Sequence, residues 1–282
     1  MLVSAPINPI DYLIIGHLTC DISPNGCVLG GTAAYSALTA QALGLSVGIL
    51  SSHHPDLPID DLDGITVINY PAEASTTFQN IQTETGRKQV ITAQAGELGY
   101  QHIPDTWRNA PIIHLAPVAQ EIDPLIVRSL SNPLLGITMQ GWLREWDAQG
   151  IVRFTELPEA QFVLQRAGAA IISIEDVLRR EDIIEELASA CPVLVVTEGK
   201  AGVRVYWHGD VRRIRPPAVE LISDLGAGDI FAASFFVRMY TTRDPWEAAR
   251  FATQLAARSV TRVGMRSIPT TEEINACLVE VI

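Results

Sequence analysis

Ile222-Ser-Asp-Leu-Gly-Ala-Gly-Asp-Ile-Phe-Ala-Ala-Ser-Phe-Phe236 sets two glycines and a carboxylate immediately ahead of an apolar run with helical spacing. Backbone N–H groups at a glycine-rich helix start converge on one point, where the helix dipole also favours negative charge. Gly226, Ala227 and Gly228 offer such a cradle. Asp229 next to it would repel a bound phosphate, which makes it a poor anchor but a suitable base for a hydroxyl attacking that phosphate. The plainer reading is an acid that stabilises an ordinary helix start.

The chain upstream chooses the architecture. From Pro111 onward, strand-length apolar runs recur at Ile112 to Leu115, Gly136 to Met139, Ala169 to Ile172 and Val193 to Thr197. Helical patterns lie between most of them, over 122–130 and 175–190. This alternation predicts a parallel sheet covered by helices. Asp11 to Gly16, a helix from Thr32 to Leu43 stopped at Gly44, and Ser46 to Leu50 form a βαβ-like opening. Further strands are expected at 65–69, 76–82 and 88–93, the last two flanking Thr85-Gly86-Arg87 as a hairpin. That hairpin is the candidate lid, contributed mainly by about 65–95. Val203 to Trp207 and Val211 to Arg215 read as a second hairpin, followed by helices over 229–240, 245–262 and 271–281.

With 282 residues, 48% of them hydrophobic, the chain can bury one large core or two modest ones. A formal net charge of −12 and the absence of any Lys/Arg run longer than a pair argue against a nucleic-acid partner. The start lacks a basic segment, and no apolar stretch approaches the roughly 20 residues that span a bilayer, so no membrane partner and a cytoplasmic location are expected. Cys20, Cys27, Cys191 and Cys277 form no CxxC pair, and are expected to be reduced thiols. A structural metal is not expected, since no His/Cys pair falls at ligand spacing. The acidic loop from Asp56 to Asp63 matches no Ca²⁺ pattern and reads as solvated.

Taken together, the chain resembles the ribokinase-like PfkB family of carbohydrate and nucleoside kinases, whose C-terminal signature is D-T-T-G-A-G-D before a small-residue helix. The resemblance runs almost end to end. Gly16-His-Leu-Thr-Cys-Asp21 is similar to the family's first strand, whose terminal Asp binds substrate hydroxyls; the plainer reading of Asp21 is an exposed strand-end acid. Leu29-Gly30-Gly31-Thr-Ala-Ala-Tyr-Ser-Ala37 resembles the Gly-Gly turn beneath the sugar. Thr197-Glu-Gly199-Lys-Ala-Gly202 resembles the segment near the nucleotide, and Ser259-Val-Thr-Arg-Val-Gly264 the stretch closing over its base. The resemblance implies a three-layer α/β/α fold with a mostly parallel central sheet and a small β lid. It also implies ATP and Mg²⁺ as cofactors.

Several positions depart from that pattern. Ser223 stands where the signature begins with Asp, an acid that often helps hold a monovalent cation, and Asp224 and Leu225 replace the two threonines. Ser173-Ile-Glu-Asp176 takes the place of the N-x-x-E segment that organises water around Mg²⁺; Asp176 is the candidate metal residue, with helix capping as the equal alternative. Tyr35 replaces an Asn and Thr32 a frequent Lys, which points away from ribose itself. Gln140 and Arg144 follow a predicted parallel strand at the edge where open α/β sheets bind ligands, so both are candidate substrate contacts.

The expected function is an ATP-dependent kinase for a small sugar or polyol, with Asp229 as general base. One rival is a nucleoside kinase, with Tyr35 or Phe78 stacking on a base. Another is a non-catalytic relative that binds a ligand or partner. A homodimer through the β lid is a further option.

Overall fold

The computed structural model describes residues 7–24, 26–83, 86–131 and 133–278. The N-terminal residues 1–6, read above for an export signal, and residues 279–281 of the expected last helix lie outside them. So does Thr85 of the expected hairpin turn.

Along the chain, β1 (Tyr12–Ile15), β2 (Thr19–Ser23) and β3 (Gly26–Gly30) precede α1 (Thr32–Ala42) and β4 (Val47–Ser51). Next come β5 (Thr66–Asn69), β6 (Thr77–Thr83), β7 (Gly86–Ala93), β8 (Ile112–Leu115) and β9 (Leu134–Thr138). The short pair β10 (Arg144–Trp146) and β11 (Val152–Phe154) is followed by α2 (Ala160–Leu164), β12 (Ala169–Ser173), α3 (Glu181–Ala190) and β13 (Val193–Thr197). β14 (Val203–Trp207), β15 (Asp210–Ile214), α4 (Ala227–Thr242), α5 (Pro245–Ser259) and α6 (Thr271–Cys277) complete the order.

Among the described residues, nine strands form one sheet in the order β15-β14-β13-β12-β9-β8-β1-β4-β5. Parallel pairing runs from β13 through to β5, and β14 runs antiparallel to its neighbours. Strand residues alternate between two cores. Tyr12 and Ile14 face α1, α4 and α5, whereas Leu13 and Ile15 face α2, α3 and Trp107. Both sheet faces are therefore covered, which is why these strands read as unbroken apolar runs. The three-layer α/β/α expectation holds.

A second sheet has the order β3-β2-β6-β7. The range expected for the lid, about 65–95, holds only two of its four strands. β5 belongs instead to the edge of the central sheet, and the other two strands, β2 and β3, come from 19–30, the segment that resembles the family's first strand and Gly-Gly turn. Gly16 ends β1, and the chain crosses to a new sheet before Asp21. A buried network fixes that crossing. His17 pairs through Nδ1 with the Thr76 hydroxyl (2.7 Å) and through Nε2 with the Gly96 carbonyl (2.8 Å), while its N–H donates to Glu121.

Several expected helices are shorter than their patterns, two of them markedly. Residues 122–130 form only a 3₁₀ turn at Pro124–Ser129. Leu178 and Arg179 adopt φ of 53° and 59°, a left-handed pair that cannot continue a right-handed helix, so α3 starts at Glu181 rather than Glu175. The cysteine expectation also changes: Cys20 and Cys27 are disulfide-paired across β2 and β3, while Cys191 and Cys277 are free and buried.

Candidate active site

Asp229 lies in the first turn of α4, which opens at Gly226. Gly226 has φ +79°, a left-handed conformation that glycine adopts without strain. It is also glycine for lack of room, because a Cβ there would collide with the ring of Tyr35. The N–H of Ala227 donates to the Asp224 carbonyl at 3.2 Å. Of the three amides expected to form the cradle, that one is committed to the turn.

The start of α1 meets the start of α4. The Thr32 side chain hydrogen-bonds the Asp229 carboxylate, and Ser36 Oγ donates to the Asp229 carbonyl at 3.1 Å. Burial pushes the Asp229 carboxyl up to about 6; Thr32 and Arg144 oppose that rise, and Asp21 and Asp176 add to it. The structure thus couples the catalytic candidate to three other residues named from sequence.

Asp21 reaches the cleft from β2, through a hairpin whose next strand ends in the Gly30-Gly31 turn. Its carboxylate lies against Gly30, where any Cβ would overlap it, and Thr19 Oγ1 lies 3.0 Å from the same point. Thr19 is buried, and its hydroxyl has no hydrogen-bond partner among the described residues. Gly31 takes φ +88° as the N-cap of α1, packed on the His17 carbonyl. Sequence reasoning did not single out Thr19, and it noted Thr32 only as a departure from a frequent Lys, not as a partner of Asp229. The available signal was Thr19 two places before Asp21, the spacing that puts both on one face of a strand.

Gln140 opens the 3₁₀ turn that follows β9, and Arg144 begins β10. Gln140 Nε2 lies 3.5 Å from Asp176 Oδ1, and Asp176 Oδ2 accepts from the Ser173 N–H at 2.9 Å. No helix starts after Ser173, so this bond closes a turn rather than capping a helix. Burial pushes the Asp176 carboxyl above its ordinary value, and Arg144 opposes the shift. The Arg144 guanidinium carbon sits 5.8 Å from the Phe78 ring centroid, and its Nη1 donates to the Val118 carbonyl. Trp142 packs in the core, with its indole N–H on the Ile122 carbonyl.

The aromatic pair expected to stack on a base is otherwise engaged. Tyr35 is buried beneath Gly226, and Phe78 packs with Ile91, Val118 and Ala119.

Thr197 ends β13 beside Ser173 of β12, on the same sheet edge as Asp176. Gly199 (φ +57°) starts a 3₁₀ turn, and Gly202 (φ +97°) packs on the Ile214 carbonyl. Gly264 opens a turn after α5. The end of α5 is tied to the segment preceding the cradle, since the Val260 carbonyl accepts from the N–H groups of Ile222 and Ser223. Among the described residues, no group of three or more His, Cys, Asp or Glu is arranged to hold a metal.

Residues 68–272 match the model of the pfkB family carbohydrate kinases. A curated cytidine kinase from Thermococcus kodakarensis is 25% identical over 283 residues, spanning 92% of this chain and 99% of that protein. Among solved structures, a pyrophosphate-dependent kinase in the ribokinase family, complexed with a pyrophosphate analog and myo-inositol, superposes with a TM-score of 0.76. It is 17% identical and covers 95% of this chain and 100% of its own. Arabidopsis thaliana ribokinase complexed with ribose and ATP superposes with a TM-score of 0.71 at 16% identity, covering 95% and 98%. At such identities the two structures establish the shared fold. The family match covers most of the chain and includes the cradle and Asp229, so the protein belongs to the pfkB family of carbohydrate kinases, enzymes that transfer phosphate to hydroxyl groups.

Proposed function

We propose that the protein is an ATP-dependent kinase of a small polyhydroxylated acceptor, a sugar or polyol. The observation that carries this reading is the position of Asp229: bonded to Thr32, adjoining the glycine cradle, and electrostatically coupled to Asp21 of the hairpin that holds Gly30. Asp229 takes the proton of the acceptor hydroxyl as its oxygen bonds to the γ-phosphorus and the bond to the departing ADP breaks. The Gly226 and Gly228 amides hold the charge gathering on the transferred phosphoryl. Asp21 and the Thr19 hydroxyl bind acceptor hydroxyls, and Arg144, with Gln140 beside it, lines the acceptor pocket. The small sheet acts as the lid that keeps water from competing as acceptor.

Thr197, Gly199, Gly202 and Gly264 border the donor. Exposed Leu221, Ile222, Leu225 and Val263 flank the cradle and offer apolar surface to a nucleobase, which favours ATP over pyrophosphate as the donor. Asp21 and Asp176 both act on the Asp229 carboxylate against the single guanidinium of Arg144, an excess of acid there that a cation would relieve. That fits Mg²⁺ carried on the donor phosphates, with Asp176 holding it from the protein side. The ion would neutralise phosphate charge. Use of ATP supports a cytoplasmic location; the thiol argument no longer does. Exposed Ile22 and Ile81 on the small sheet support homodimerisation through it, which light scattering tests.

A nucleoside acceptor is the second reading, favoured by the end-to-end match to a cytidine kinase. A coupled ADP-release screen across sugars, polyols and nucleosides, with a parallel pyrophosphate arm, separates these readings. No turnover in either arm would leave the non-catalytic alternative.

A further inference from the structure

We infer that the Cys20–Cys27 pair is a redox-controlled clamp on the hairpin that presents Asp21, an inference that rests on the reading of Asp21 as an acceptor ligand. In the β2–β3 register, Cys20 lies opposite Leu29 and Cys27 opposite Ile22, so the two sulfurs meet diagonally on one face. Their Cα atoms are 5.3 Å apart, within the range that a disulfide bridges without moving the backbone. Asp21 lies between them in sequence and points to the opposite face, where its carboxylate packs on Gly30. The cross-link therefore braces the back of the strand whose front binds the acceptor. Its reach extends further, because β3 ends at Gly30, and Gly31 caps the helix whose Thr32 holds Asp229.

Accessibility makes this pair the one that responds. Cys27 is exposed and Cys20 half-buried at the rim of the small sheet. Cys191 and Cys277 are buried, and burial pushes the Cys191 thiol up to about 12, far from the reactive thiolate. Reduction by a low-molecular-weight thiol breaks the Cys20–Cys27 S–S bond through a mixed disulfide and forms two S–H bonds; two electrons and two protons come from two thiol molecules, which leave joined as one disulfide. In reverse, a low-molecular-weight disulfide accepts the two electrons and two protons and leaves as two thiols. With the bond closed, β2 and β3 are held in the register that positions Asp21. With it open, the hairpin must be ordered by the acceptor itself, and acceptor affinity falls.

The test uses the intact chain equilibrated with oxidised or reduced glutathione. Thiol titration and peptide mass mapping should show Cys20 and Cys27 joined in the first and free in the second, with Cys191 and Cys277 unchanged. Amide hydrogen exchange over 19–30 should be slower in the oxidised form. Acceptor KM, measured with myo-inositol and with cytidine, should rise about tenfold on reduction while ATP KM and kcat stay within about twofold. Cys27→Ser, an exposed and conservative change, should behave as the reduced form under both conditions. Thiols that remain free in oxidised glutathione, or equal exchange in the two states, would overturn the clamp. An unchanged acceptor KM in an active enzyme would do the same. Redox-dependent exchange in a protein that phosphorylates no acceptor would leave the clamp standing and sink the kinase reading instead.

Discussion

The ring of Tyr35 occupies the space that any side chain at Gly226 would need. This contact joins the helix after the Gly30-Gly31 turn to the glycine turn in front of α4, so the proposed acceptor and donor sides share one packing unit. Gly226→Ala would force the ring aside and strain a left-handed φ of +79°. The expected result is a loss of at least about 10²-fold in kcat, as for removal of an oxyanion-type donor, with a stability loss of about 1–3 kcal/mol. Steady-state kinetics beside urea unfolding measures both, and a wild-type kcat would remove the cradle from the mechanism.

Asp229→Asn should keep donor and acceptor binding and lower kcat by at least about 10²-fold. Since burial pushes this carboxyl up to about 6, wild-type kcat should fall on the acid side of that pH, where the base is protonated. The same shift acts on stability. From the ordinary value of 3.8 up to about 6 the folded chain holds the proton more tightly than the unfolded one, so ionisation at neutral pH destabilises the fold. Asparagine removes that penalty and should raise stability at pH 8 by on the order of 1–2 kcal/mol, after the altered bond to Thr32 is counted. Calorimetric binding, a pH–rate profile and thermal unfolding check the three parts.

Asp21→Ala should raise the acceptor dissociation constant and leave ATP binding unchanged, because each charge-assisted hydrogen bond contributes about 1.5–3 kcal/mol. Thr19→Val should act in the same direction more weakly, since it removes one neutral hydroxyl that has no hydrogen-bond partner among the described residues. Titration calorimetry with each acceptor found active decides this, and an unchanged constant for Asp21→Ala would move that residue out of the site.

His114 supplies a prediction about the scaffold. It is fully buried at the centre of the sheet, with Nδ1 on the Tyr12 hydroxyl (2.9 Å) and Nε2 on the Thr138 hydroxyl (3.1 Å). Burial pushes it down from 6.5 to about 3. Between those values the unfolded chain binds the proton and the folded chain does not, so stability falls as pH drops through that window, by at most about 1.4 kcal/mol per pH unit. His114→Gln should be less stable at pH 7 but lose less on acidification. Urea unfolding at pH 7, 5.5 and 4.5 tests this, and parallel pH curves for the two proteins would assign the acid sensitivity elsewhere.

The central sheet was legible because its strands are buried on both faces, and Ile112–Leu115 and Val193–Thr197 carry that fact as unbroken apolar runs. The small sheet was half legible. Thr19–Ser23 and Gly26–Gly30 carry polar, cysteine and glycine residues on a solvated hairpin, and nothing in their periodicity separates them from a loop. Asp229 and Asp21 could be named from local pattern and family resemblance. Thr19 could not, nor could the contact of Thr32 with Asp229, since both depend on which atoms the fold sets opposite them. The committed amide of Ala227 likewise depends on the backbone of Asp224, and no residue type encodes it.

Potassium response tests the least typical part of the chain. A cation site near the cradle wants a carboxylate aimed at it, because a hard ion sheds water only when oxygen ligands and compensating charge replace it. Ser223 offers an oxygen without charge, and that oxygen accepts the Leu225 N–H at 3.3 Å, so the loop already uses it. The Ser223 N–H donates to Val260, and the Asp224 carbonyl accepts from Ala227, which fixes the backbone on both sides. Asp224 is exposed, one residue along from the required position. Initial rate against KCl, at ionic strength held constant with a bulky organic cation, should rise by less than about twofold, the response of a site lacking its charged ligand. Ser223→Asp should introduce a potassium dependence, because the anchored backbone would present the new carboxylate without rearranging. Strong activation of the unmodified enzyme would mean that carbonyls of the 222–225 segment complete the site unaided, and that the charge at position 223 is dispensable.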